Sequence, residues 1–236
     1  MLNDQVILVT GASRGLGRAL ALALARKGAT LSLCARDTAA VAAVVQECRE
    51  AGASDVLGVR ADIGDPRDVE RLAALTLDRF GRVDVLVNNA SSLGPTPLPH
   101  LADVRPAALG EVMEVNVVGP VRLTQAVLGG MLFRERGLVV NVSSDAAVVG
   151  YPGWGVYGAS KAALEAVTRS WAAELEGTGV RLISVDPGDM DTDMHRLADP
   201  GADPADLARP DDVAERLAAL IAGSPSQARV ALAELG

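Results

Sequence analysis

The chain has 236 residues, is 49% hydrophobic but only 3% aromatic, and carries a formal charge of −8. That balance argues against a nucleic-acid footprint, which needs clustered basic surface, and without a run of about 18 apolar residues no membrane span is expected. Two cysteines without metal or redox spacing, Cys34 and Cys48, and an N-terminus lacking a basic leader point to a reduced, cytoplasmic protein folded as one domain over residues 1–236.

In chain order, the apolar run "VILV" (6–9) leads into "TGASRGLG", where Gly11, Gly15 and Gly17 open a helix predicted over 16–27. A second run, "TLSLCA" (30–35), is followed by Arg36 and Asp37 and a helix over 38–51. The third, "DVLGVR" (55–60), is followed by "ADI" (Asp62, Ile63) and a helix over 67–79 that Asp65 and Pro66 introduce. Next come "VDVLV" (83–87), the tetrad "NNAS" from Asn88 to Ser91 and a long helix over 106–133 holding Asn116. "LVVNV" (138–142) precedes Ser143 and Ser144, and a helix over 154–176 carries Tyr157 and Lys161. "VRLISV" (180–185) then opens a segment rich in Pro, Gly and Asp (186–210), a helix over 211–222 and a final strand, "RVALA" (229–233). Gly28, Gly52 and Gly81 stand where helices should stop.

The strands read as near-continuous apolar runs rather than alternating ones, the pattern of strands buried on both faces. Alternation with helices implies an α/β fold, a doubly wound parallel sheet of about seven strands with helices on both faces, the Rossmann arrangement. A long Pro/Gly/Asp-rich excursion in such a domain is usually functional, so the stretch 189–209 is expected to form a substrate lid.

Two motifs carry chemistry. Glycines between a strand and a helix let a pyrophosphate approach backbone N–H groups at the positive helix end. Tyr157 and Lys161 lie four apart and share a helix face. An ammonium about 4 Å from the phenol, at an effective dielectric of about 20, would lower its pKa from about 10 by at most about 3 units, into the range useful for proton transfer.

The spacing Gly11-x-x-x-Gly15-x-Gly17, "NNA", "VNVSS", "YGASK" and "DPGDMDT", all in order, resemble the short-chain dehydrogenase/reductase family over nearly the whole chain. The resemblance implies hydride transfer between a nicotinamide and a carbonyl or secondary-alcohol carbon. It implies roles for Tyr157 as proton donor or acceptor, for Ser144 as hydrogen-bond donor to the reacting oxygen, for Lys161 in lowering the Tyr157 pKa and holding the ribose, and for Asn116 in anchoring a water behind Lys161. Cofactor contacts are implied for Gly11, Ser13, Arg14, Gly15, Leu16 and Gly17, for Asp62, Ile63, Asn89 and Ala90, and for Pro187, Gly188 and Thr192.

Where NAD enzymes of this fold place an acid after strand two, this chain has Ala35 and Arg36. Arg36 and Arg14 could fork onto a 2′-phosphate, so NADP(H) is preferred. NAD(H) stays possible because Asp37 could pair with Arg36 or reach the ribose. The expected partner is a small carbonyl or alcohol, with Ser91, Leu93, Val148, Tyr151, Trp154, Met190, Met194 and His195 as pocket candidates. His195 is expected to be an exposed lid residue, and His100 has no evident partner. Ser91 after "NNA", Asp186 where asparagine is common, and the short tail "ARVALAELG" depart from the family pattern. No role is assigned to Asp186. The tail bears on whether the expected homo-oligomer, through the helices over 106–133 and 154–176, is a dimer or a tetramer. A catalytically silent nucleotide-sensing protein and a sugar-nucleotide epimerase are the competing readings. The intact Ser144–Tyr157–Lys161 set speaks against the first and the small size of the chain against the second.

Overall fold

The structure, a computed structural model, describes residues 1–223, 225 and 228–234. Seven strands make one sheet: β1 (Val6–Thr10), β2 (Thr30–Ala35), β3 (Asp55–Arg60), β4 (Val85–Asn88), β5 (Gly137–Val142), β6 (Val180–Asp186) and β7 (Arg229–Ala231). Their order is β3-β2-β1-β4-β5-β6-β7 and every pairing is parallel. The direction of winding reverses between β1 and β4, and ligands of such sheets bind beyond the carboxyl ends of strands at that switch point.

The apolar runs are continuous because each strand feeds two cores. Ile7 and Val9 of β1 face one cluster and Leu8 the other, and Val85, Leu86 and Val87 of β4 divide in the same way. The helices are α1 (Gly15–Arg26), α2 (Thr38–Ala51), α3 (Pro66–Phe80), α4 (Pro106–Met113), α5 (Gly119–Phe133), α6 (Gly155–Glu174), α7 (Asp193–Ala198) and α8 (Pro210–Ala222). Those contributing to the first core are α1, α2 and α8, through residues such as Leu20, Val44 and Leu217. Leu72 of α3 and Leu123 of α5 fill the second. Cys34 and Cys48 are free and buried, and burial pushes both thiols up to about 12.

Two elements differ from the expectation. The helix expected over 106–133 is interrupted by a π turn, Glu114–Val118, between α4 and α5. The segment after β6 is less irregular than its composition implies. Thr192 caps the short α7 by accepting from His195 N at 3.2 Å. Asp191 N donates to Ala208 O at 3.0 Å and Ala208 N to Asp189 O at 3.1 Å, so the excursion is closed at its neck. Residues 235 and 236 of the tail lie outside the described residues.

Candidate active site

At the carboxyl end of β1 the chain turns through Gly11 to Gly15 into α1. A Cβ on Gly17 would meet Gly11 O at 2.2 Å and Asn89 Nδ2 at 2.5 Å, so only hydrogen fits there. Asn89 pins this turn to β4, donating to Thr10 O at 2.8 Å and Gly11 O at 3.2 Å. Gly15 has φ +53, and a Cβ there would come no closer than 3.5 Å to Thr192 across the cleft. The glycine turn thus presents bare backbone to open space at a helix N-terminus, a cradle suited to a dinucleotide pyrophosphate.

The cleft, about 390 Å³, brings together Gly11, Ser13, Arg14, Gly15, Leu16 and Gly17 with Arg36, Asp62, Ile63, Asn89 and Ala90. Its opposite wall carries Ser144, Tyr157, Lys161, Pro187, Gly188 and Thr192. Its size lies within the range of small-molecule sites, about 300–1,000 Å³. Asn116 does not line it.

Tyr157 and Lys161 sit in the first turns of α6, both buried, with Lys161 only 2% exposed. The ammonium lies over the phenol ring, 5.4 Å from its centroid, and donates to Val142 O at 2.8 Å. Burial lowers the Lys161 pKa to about 8. Burial also pushes Tyr157 well above its ordinary 10, with the Ser144 and Ser91 hydroxyls pulling it down and the Asp186 and Asp145 carboxylates adding to the rise. The net shift of the phenol is therefore upward, opposite to the fall expected from the Tyr157–Lys161 spacing. The cation lies over the ring, and desolvation is the largest cause of the raised phenol pKa.

Ser144 lies two residues beyond β5 and caps the short turn Asp145–Ala147. Its Oγ accepts from Ala146 N at 3.1 Å and donates to Asp145 Oδ1 at 2.9 Å, while Tyr151 Oη donates to Asp145 Oδ2 at 2.6 Å. Burial works to raise the Asp145 pKa, but the bonds from Tyr151 and Ser144 carry it below the usual range.

Asn116 stands in the π turn with every polar side-chain atom engaged. Oδ1 accepts from Ser92 N at 2.8 Å and Ser91 Oγ at 3.2 Å, and Nδ2 donates to Ser92 O at 2.9 Å and Ser160 Oγ at 2.8 Å. Its side chain fastens the 91–92 loop to α6 and has no hydrogen-bonding capacity left over for a water. Ser91 is thereby held at the cleft.

Around the reacting end lie Ser91, Leu93, Trp154, Met190, Met194 and His195, as expected, together with Ser92, Thr96, Asp189 and Leu197. Trp154 packs edge-on against Tyr157, with centroids 5.7 Å apart. Val148 and Tyr151 are exposed outside the lining. His195 is not the exposed lid residue expected. Its side chain is 14% exposed and faces Asp189 at 3.7 Å.

Residues 5–202 match the family model for short chain dehydrogenases. The chain belongs to the short-chain dehydrogenase family. It is 39% identical over 194 residues to a 3-oxoacyl-[acyl-carrier-protein] reductase of Synechocystis, covering 82% of this chain and 77% of the relative. An alcohol dehydrogenase of the archaeon Thermococcus sibiricus, solved with 5-hydroxy-NADP, superposes with a TM-score of 0.86 at 31% identity, over 96% of this chain and 95% of its own. A 7α-hydroxysteroid dehydrogenase solved with NADH superposes with a TM-score of 0.87 at 27% identity, over 98% and 92%. This short-chain dehydrogenase is thus an oxidoreductase whose family interconverts CH–OH and C=O groups, on a sheet shared with both structures. Among its described residues no helix is long and apolar enough to cross a membrane.

Proposed function

We propose that this short-chain dehydrogenase is an NADPH-preferring reductase of a small carbonyl compound, able in reverse to oxidise the secondary alcohol. One observation carries the reading: the Tyr157 hydroxyl, with Ser144 and Ser91 beside it and Lys161 stacked on its ring, lies in the same cleft as the glycine turn. A bound nicotinamide supplies the hydride. Tyr157 gives the proton to the carbonyl oxygen, or takes it back in the oxidative direction. A phenol kept protonated by burial is ready to donate, and general acid catalysis of this kind is worth about 10²–10⁴-fold. Ser144, on turning its hydroxyl from Asp145, donates to the same oxygen and steadies developing charge. Lys161, with a pKa near 8, exchanges protons at working pH behind the tyrosine.

Arg36 and Arg14 would take the 2′-phosphate. Both line the cleft and are exposed, and Asp37 does not compete. Its Oδ1 caps α2 by accepting from Ala40 N at 2.9 Å. Ser13, Leu16, Asp62, Ile63, Asn89, Ala90, Pro187, Gly188 and Thr192 would complete the cofactor contacts. Leu93, Trp154, Met190, Met194 and Leu197 favour a carbonyl with apolar flanks, covered by the 189–209 excursion as a lid over one folded domain. A homodimer or homotetramer is proposed on the exposed Leu109 of α4 and Leu132 and Phe133 of α5.

The test is cofactor oxidation with NADPH, then NADH, across a library of ketones and aldehydes. Turnover of at least one member with NADPH ahead of NADH is expected. Tight cofactor binding without turnover of any carbonyl would overturn the reading.

A further inference from the structure

At the carboxyl end of β5 a cluster of polar side chains joins parts of the chain distant in sequence. Glu165, one turn beyond Lys161 on α6 and 3% exposed, accepts from Ser143 Oγ at 2.6 Å and from Arg229 Nε at 2.9 Å. The same guanidinium, rising from β7, donates through Nη2 to Asp186 Oδ2 at 3.1 Å. The other oxygen of Asp186 accepts from Gly188 N at 3.0 Å. Ser143 is the neighbour of Ser144, and Ser143, Asp186 and Gly188 all line the cleft. One guanidinium therefore ties the segment that follows β5, through Ser143 and Glu165, and the helix that carries Tyr157 to the 186–188 turn.

The arrangement also sets charge. A buried carboxylate is costly unless paired, and here two share Arg229. Further support for Glu165 comes from Arg169, 3.7 Å away and largely exposed. Asp186 is the part of the cluster that reaches the phenol electrostatically.

We propose that Arg229 and Asp186 are positioning residues: the clamp they form with Glu165 and Ser143 holds the Ser143–Ser144 segment and the Pro187–Gly188 turn in register with Tyr157. The inference rests on Tyr157 being the proton donor described above. Asparagine in place of Asp186 would keep an acceptor for Gly188 N but remove the charge, which is the physical content of this departure from the family pattern.

The sign of their effect on Tyr157 follows from the groups that face each other. The groups that act on the Tyr157 hydroxyl are Ser144 and Ser91 by hydrogen bond and Asp186 and Asp145 by charge, with Lys161 over the ring. Asp145 is held by Tyr151 and Ser144. Asp186 is faced by Arg229, the Gly188 N–H and Asp145, Glu165 by Arg229, Arg169 and Ser143, and on the lid Asp189 faces His195. A negative Asp186 favours the neutral phenol, so removing that charge makes Tyr157 more acidic. Removing Arg229 leaves two carboxylates uncompensated and makes Tyr157 less acidic.

Two readouts test this on the protein saturated with NADP⁺. The chain has two tyrosines, so 13Cζ-tyrosine NMR gives one signal each, assigned with Tyr151→Phe. The second is the pH dependence of alcohol oxidation. Asp186→Asn should move the Tyr157 midpoint down, and Arg229→Gln should move it up, each by about half a pH unit or more. Arg229→Lys should lie between Arg229→Gln and wild type. Midpoints unchanged in both variants, or moved in the same direction, would overturn the proposal. Should Arg229→Gln fail to fold, Asp186→Asn decides alone. Opposite NMR shifts in a protein that turns over no alcohol or carbonyl would leave the clamp standing and remove the oxidoreductase mechanism instead.

Discussion

Asp37 spends its carboxylate on the backbone of α2, with Oδ1 2.9 Å from Ala40 N, and so leaves the adjacent Arg36 at the cleft unpaired by it. Two residues side by side therefore have separable jobs. Arg36→Asp should weaken NADPH binding by about 10- to 150-fold, the worth of charge-assisted hydrogen bonds, and NADH binding by less than about threefold. Titration by nucleotide fluorescence measures both. An unchanged ratio of the two affinities would discard the phosphate fork. Asp37→Ala should cost about 1 kcal/mol of stability through the lost cap and leave the ratio of cofactor affinities alone.

Tyr157→Phe should retain cofactor affinity and lose about 10²-fold or more of turnover. Pre-steady-state and steady-state rates with the best substrate check this. Activity near wild type would mean the proton comes from elsewhere.

Lys161 gives a stability prediction with a definite sign. Its pKa falls from 10.5 in an exposed chain to about 8 in the folded protein. Below pH 8 the lysine is charged in both states, and the folded state bears the full desolvation cost. Between pH 8 and 10.5 the unfolded chain binds more protons, so stability rises with pH through that window. Lys161→Met should thus be more stable than wild type at pH 7 by about 1–3 kcal/mol, after allowing for the lost bond to Val142 O. The gap should close toward pH 10.5. Urea midpoints for both proteins at pH 7 and pH 10 are the measurement, and a Met variant less stable at both would reject the account.

Gly17→Ala places a methyl 2.2 Å from Gly11 O, a backbone atom that cannot step aside cheaply. The variant should lose about 1–3 kcal/mol of stability and bind either nicotinamide dinucleotide at least about tenfold more weakly. Calorimetry with and without cofactor separates the two effects.

The strands were legible because each core face takes alternate residues from one unbroken apolar run, as Ile7, Leu8 and Val9 do. The glycine turn was legible because its neighbours in sequence are its neighbours in space. The π turn at Asn116 was not, since nothing in the composition of Glu114–Val118 marks a single-turn bulge inside an otherwise helical run. Arg229 and Glu165 carry no signal in the sequence for another reason. An arginine beginning a short strand looks like any solvated edge residue until the sheet order puts β7 beside β6. His195 reads as an exposed lid residue because Tyr157 already fills the role of catalyst, whereas its side chain is 14% exposed and faces Asp189. The i,i+4 spacing of Tyr157 and Lys161 fixes a shared face but not which part of the ring the ammonium approaches, which here is its face.

The reciprocal bonds between Ala208 and the backbone of Asp189 and Asp191 give the excursion after β6 a base that does not depend on what it encloses. Such a segment behaves as an interchangeable cassette. Its inner residues can be traded for another specificity while the two cut points, already stitched to one another, spare the sheet from any adjustment.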